Sequence, residues 1–113
     1  EVTERRSTGT AQEKSGDVLS PRFLAWVRSL PCAFCAAKAP SDPHHFPTKG
    51  SLGMTVDMLA LPACRACHDK AHDGRIGKVQ QCVALIGTLV HFFTRATRSL
   101  KREVFTEIAK GLG

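Results

Sequence analysis

Cys32-Ala-Phe-Cys35 and Cys64-Arg-Ala-Cys67 are one unit written twice, and no other feature of the 113 residues restricts the fold as much. Each unit sets two thiols on one side of a tight turn, and two such knuckles complete a tetrahedral zinc site. A single CxxC also reads as a redox dithiol. Two at matching spacing are accounted for together by one structural zinc, with disulfide or redox chemistry as the alternatives. Cys82 makes the cysteine count odd, at five, which argues against a pure disulfide framework. It lies in a helical pattern and reads as a small buried hydrophobe.

The 28 residues between Cys35 and Cys64 exceed the roughly 15–20 of a plain zinc ribbon, so the knuckles enclose an insert. It carries Asp42-Pro43-His44-His45. The second knuckle runs directly into His68, and His72 follows four residues later on the same helix face, the spacing that two metal ligands require. With four thiols filling one ion's shell, these imidazoles remain for a second. Three histidines around one divalent ion leave positions open for water and substrate, as in catalytic sites. Neighbours on a strand point to opposite sides, so one of His44 and His45 binds metal while the other is free as a general base. Nitrogen ligands favour Zn, Ni, Co or Mn over Mg, and an oxygen from Asp42 would widen that choice. His91, isolated in a long helix, reads as a surface or core histidine.

The remaining pattern predicts an α+β chain. Residues 1–17 are polar and aperiodic and read as a flexible arm. Ser20-Pro21 opens a short helix as N-cap and first-turn proline, with Phe23, Leu24, Trp26, Val27 and Leu30 on its apolar face and Trp26 as a core anchor. Residues 42–47 and 54–62 read as short strands around the Lys49–Gly53 loop, and Gly74 ends the helix after the second knuckle. Residues 18–74 thus form the zinc-bound core, and 75–113 form a helical extension. In the extension Ile76, Val79, Val83, Ile86, Val90 and Phe93 make one amphipathic stripe, and Cys82, Leu85, Leu89 and Phe92 lie beside it. So wide an apolar surface either packs on a second subunit through the 76–93 helix or is the main core helix, wrapped by its neighbours. A last helical pattern runs from Leu100 to Leu112.

Sixteen Lys and Arg oppose ten Asp and Glu, a net charge of +6, which favours a polyanionic partner. The excess is uneven. From Arg75 onward seven bases meet two acids, whereas Cys32–Gly74 holds four of each. No stretch approaches the roughly 20 apolar residues of a bilayer span, and no signal peptide is visible from Glu1 onward. The expectation is an intracellular protein without a membrane partner.

Cys32-x-x-Cys35, Asp42-Pro43-His44-His45, Leu61-Pro62-Ala63-Cys64-Arg65-Ala66-Cys67-His68 and His72 resemble the HNH endonucleases of the ββα-metal superfamily, and most of all the small, zinc-stapled, phage-associated type. The likeness covers roughly Leu24 to Gly74. It implies a ββα-metal core in which His45 is the general base, while His44, His68 and His72 hold one divalent ion. It also implies hydrolysis of DNA phosphodiesters to 5′-phosphate and 3′-hydroxyl ends. An imidazole titrating near pH 6.5 suits that role. The middle Asn of the family is missing, and Asp57 is the nearest polar residue. It reads either as the carboxylate that orients His45 or as a residue that merely opens a strand. Lys49, Arg65, Lys70 and Arg75 are candidate phosphate contacts, and the basic C-terminal helices would hold flanking DNA. One such site nicks one strand. The rival expectation is a non-catalytic zinc module that binds nucleic acid through its basic surface.

Overall fold

The computed structural model describes residues 17–47 and 55–112. They form an α+β unit of four helices and a two-stranded antiparallel sheet: α1 (Pro21–Arg28), β1 (Asp42–His45), β2 (Ala60–Ala63), α2 (Arg65–His72), α3 (Lys78–Arg95) and α4 (Arg98–Leu112). Ser20 caps α1 by accepting from the Phe23 amide at 3.2 Å, and Pro21 takes the first turn. Gly74, with φ +87°, follows α2 in the left-handed region that a side chain disfavours. The lysine and loop positions 48–54, Lys49 among them, lie outside the described residues, as do residues 1–16.

Two apolar clusters hold these elements. In one, Phe23 and Val27 of α1 meet Phe92 of α3, Leu100 and Val104 of α4, and Val18, Met58 and Ala60. Trp26 packs edge-on to Phe92 at 5.1 Å and stacks on exposed His91 at 5.6 Å, so this tryptophan anchors the core from its rim. The other joins Leu61 and Ala63 of β2 to Ala71 of α2, Ile76, Leu85, and the thiol-bearing Cys32 and Cys67. No helix among the described residues is long and apolar enough to cross a membrane.

Both strands are shorter than the pattern suggested. β1 stops at His45, and β2 starts only at Ala60. Pro43 faces Pro62 across the ladder, and neither has an amide to donate. Upstream of β2 the chain instead turns: Val56 bridges to Val18, and the Leu59 amide closes back on the Val56 carbonyl. Asp17, assigned to the arm, is fixed by accepting from the Thr55 amide at 2.7 Å.

The largest departure lies on α3. Its buried residues are Gln81, Leu85, Thr88 and Phe92, whereas Val79, Val83, Ile86 and Val90 are 56–77% exposed. Cys82 is exposed too, so the buried-hydrophobe reading of it is wrong. The inward face is set by Gln81, one turn before Leu85, which reaches the site described next. Ile76 lies before the helix and is buried.

Candidate metal centres and the His45–Asp57 pair

Two clusters of metal-ligating side chains lie side by side. Cys32 and Cys35 come from the loop after α1, while Cys64 caps α2 and Cys67 sits in its first turn. All four sulfurs lie within 4.8 Å of one another, and the Cys35 and Cys64 sulfurs are 3.7 Å apart. A tetrahedral ion with Zn–S of about 2.3 Å separates its sulfurs by about 3.8 Å, so the set is compatible with a structural zinc. None of the cysteines is in a disulfide. The knuckle turns through Ala36, an L-residue at φ 62°, whose amide donates to the Cys32 carbonyl at 2.9 Å. Burial pushes the Cys32 thiol up, but amide hydrogen bonds from Cys64, Cys35 and Phe34 outweigh it and bring it down to about 6. Burial and the neighbouring sulfurs push Cys67 up to about 12. Four thiolates so close repel one another, and a cation that binds all four must displace protons.

The second cluster is His44, His68 and His72, whose ligating nitrogens also lie within 4.8 Å. β1 supplies the first, and the i, i+4 face of α2 supplies the others. Burial, and then the charge of His68 and His72, pull the His44 pKa below the ordinary histidine value, against the opposing Gln81 contact. His44 Nε2 lies 2.7 Å from Gln81 Oε1, and its other nitrogen, Nδ1, is buried without a hydrogen-bond partner. An orphaned imidazole nitrogen beside two further imidazoles has the chemistry of a vacant ligand. His68 and His72 face each other at 3.1 Å between their Nε2 atoms.

His68 Nδ1 has two neighbours that demand opposite tautomers. Arg65 Nη2, at 2.7 Å, can only donate to it; Asp42 Oδ2, at 3.2 Å, can only accept from it. A metal on Nε2 selects the second arrangement, with Nδ1–H donating to the carboxylate, as ligating histidines commonly do. With an ion on that nitrogen, Asp42 would stand behind the ligand rather than in the ligand set.

His45, on the opposite side of β1, points to a separate partner. Its Nε2 lies 3.1 Å from Asp57 Oδ1, in an environment where the side chains are 12% and 6% exposed. The other carboxylate oxygen accepts from the Ser20 amide at 2.9 Å. Asp57 thus ties the start of α1 to His45, and as an acceptor it sets the proton on Nε2 and leaves Nδ1 with the lone pair.

Of the candidate phosphate contacts, Arg65 is exposed and reaches Asp42, Asp69 and His68. Lys70 is exposed on α2. Arg75 is already engaged by the Asp73 carboxylate at 2.7 Å. Reading the sequence missed Gln81. Its signal was available: a polar residue one turn before Leu85, on the helix face that Leu85 and Phe92 define.

A relative described as uncharacterized protein YdfU, from Escherichia coli (strain K12), is 31% identical over 78 residues, which cover 66% of this chain. The chain spans only 22% of that relative's length. No solved structure matches. The profile of the DUF968 family, described as a protein of unknown function, matches residues 10–97. That span takes in α1, both knuckles, all three clustered histidines, His45 and Asp57, and the chain belongs to the DUF968 family.

Proposed function

We propose that this chain carries a metal-dependent DNA endonuclease or nickase centre of the HNH, ββα-metal kind, beside a structural zinc. One observation carries the reading: neighbouring histidines on β1 diverge, His44 to a three-imidazole cluster and His45 to a buried carboxylate. Strand, strand and helix follow in the order that the ββα motif requires. His45 is the general base. Asp57 accepts from Nε2–H and holds the ring, so Nδ1 takes the proton from the attacking water. Positioning of this kind contributes about 10²–10⁴-fold in rate. A divalent ion held by His44, His68 and His72 would neutralise charge on the phosphate and the leaving 3′ oxygen. Arg65 and Lys70, with Lys49, Arg75 and the basic helices, hold the phosphate backbone. Expected products carry 5′-phosphate and 3′-hydroxyl ends.

A second reading, a non-catalytic nucleic-acid-binding zinc module, draws on a different observation. On α4, Arg98, Lys101 and Arg102 surround Phe105, whose ring stacks on Phe93 at 5.7 Å. Cations around exposed aromatics suit nucleic-acid binding without any cleavage. Plasmid nicking decides between them. Wild type with Mn²⁺, Ni²⁺, Co²⁺, Zn²⁺ or Mg²⁺ should relax supercoiled DNA, and His45→Ala should leave it intact while keeping zinc and fold. Unchanged cleavage by H45A would sink the assignment, and a wild type inert with every ion would hand the function to the binding module.

A further inference from the structure

Gln81 makes more contacts than a buried helix residue needs, and their directions are forced. It is 6% exposed, and its carboxamide nitrogen points at two carbonyls, Ile76 at 2.8 Å and Ala71 at 3.4 Å. Only the NH₂ end can meet carbonyls, so the amide cannot be flipped without setting oxygen against oxygen. Oε1 therefore faces His44 Nε2 at 2.7 Å. An oxygen there accepts, so the proton sits on Nε2 and the lone pair on Nδ1. That is the nitrogen left buried without a hydrogen-bond partner, on a ring whose centroid lies 5.1 Å and 5.0 Å from those of His68 and His72.

We infer that Gln81 is a positioning residue for a divalent ion: it fixes His44 in the tautomer whose Nδ1 is free to bind metal, and so makes α3 part of the centre. The inference rests on the proposed metal centre and adds to it a residue that touches neither metal nor substrate. The orientation is transmitted along a chain: carbonyls at the end of α2 and after it set the amide, the amide sets the ring, and the ring sets the ligand atom. His68 has its own counterpart in Asp42. The buried histidine thus takes a neutral amide and the more exposed one a carboxylate. A neutral acceptor avoids burying an unpaired carboxylate beneath α3.

The test uses the zinc-loaded protein and two probes. Long-range ¹H–¹⁵N NMR of the imidazoles, without added metal, should show His44 protonated at Nε2. Titration with Co²⁺ should then fill the histidine site, recognised by weak d–d absorption without the thiolate-to-cobalt charge-transfer bands of a cysteine site. Gln81→Leu should lose about 10–100-fold in Co²⁺ affinity there and mix its His44 tautomers. Gln81→Glu, which keeps an acceptor for Nε2–H but sets a carboxylate oxygen against the Ile76 and Ala71 carbonyls, should keep the Nε2 tautomer at a cost in stability. Wild-type His44 protonated at Nδ1, or Q81L binding Co²⁺ as tightly as wild type, overturns the inference. Should Q81L fail to fold, the wild-type NMR spectrum still decides. A wild type with the Nε2 tautomer but no histidine-bound Co²⁺ would instead overturn the metal centre itself.

Discussion

Asp57 accepts from the Ser20 amide and from His45 at a nearly buried position, so its removal should be felt in both stability and chemistry. In Asp57→Ala the Ser20 amide and His45 Nε2–H both lose their acceptor. Hydrogen bonds to a charged group are worth about 1.5–3 kcal/mol each, and a buried donor left unmade costs a comparable amount. Urea unfolding should therefore show a loss of about 3–6 kcal/mol, a large share of the roughly 5–15 kcal/mol that holds a domain. Asp57→Asn separates the two roles. The Ser20 amide is always a donor, so it claims the asparagine oxygen and turns the NH₂ toward His45. Nε2 must then accept, the ring proton moves to Nδ1, and the base loses its lone pair on the reactive side. Stability should fall by only about 1–3 kcal/mol, while nicking falls by about 10²–10⁴-fold.

The two effects are distinguishable by a cycle with His45→Ala. Once the imidazole is gone, D57N should cost only the charge that strengthens its Ser20 contact in urea and nothing further in residual cleavage, since residues acting as a unit are non-additive. A D57N protein that nicks at the wild-type rate would refute the orienting role. Additive losses in the cycle would show that Asp57 acts on α1 alone.

Other outcomes follow from exposure. Cys35 and Cys82 are both exposed, but a zinc held by the four clustered cysteines would occupy Cys35, so a thiol reagent should modify one cysteine rapidly in the zinc-loaded protein, and Cys82→Ser should abolish that fast phase. If modification were equally slow in both proteins, Cys82 would have to be covered. Val83 and Ile86, 63% and 56% exposed, lie mid-stripe on α3, where a homodimer would meet. Sedimentation should give a dimer that Val83→Glu with Ile86→Glu splits into folded monomers; a monomeric wild type at high concentration removes the homodimer.

The chemistry of this chain is legible because it is written at fixed spacing. Doubled CxxC, His-His and His-x-x-x-His each demand a geometry that only a turn, a strand or a helix supplies, and Cys32, Cys35, Cys64 and Cys67 do gather. α1 is legible too, through Ser20, Pro21 and its apolar face. The inward side of α3 is not. Hydrophobic periodicity marks Val79, Val83, Ile86 and Val90 for burial, in the core or against a second subunit, yet within the chain they stand outside while Gln81 and Thr88 go in. Burial of those two polar residues is tolerated because each is hydrogen-bonded: Thr88 to the Ala84 carbonyl, and Gln81 to His44, Ile76 and Ala71. Such partners lie 5–37 residues away for Gln81, where no local period can register them. The shortness of the strands is hidden for a related reason: the turn at 56–59 depends on pairing with Val18 and Ser20, far back in the chain.

The two proposed metal centres should depend on each other in one direction only. Cys67 and His68 are consecutive, and Cys64 caps the helix that carries His68 and His72. Losing the zinc frees the 32–35 loop from α2, and with it the alignment of α2 against β1, so the histidine site should fail. The other apolar cluster, from Phe23 and Val27 to Phe92 and Val104, contains no cysteine, so α1, α3 and α4 should keep much of their helicity. Structural zinc contributes about 10–16 kcal/mol in small zinc-dependent peptides, as much as a whole domain's stability, so its loss should outweigh the small apolar cluster in the cysteine half. Protons compete in the same place. The thiol of Cys67, pushed up to about 12, must give up its proton to bind metal at neutral pH, so zinc is held more weakly as pH falls. Cys35→Ser with Cys64→Ser should therefore abolish Co²⁺ binding at the histidines while far-UV circular dichroism falls only in part. His68→Ala with His72→Ala should leave the zinc stoichiometric. Histidine-bound Co²⁺ surviving in the cysteine variant would show that β1 and α2 hold their register unaided.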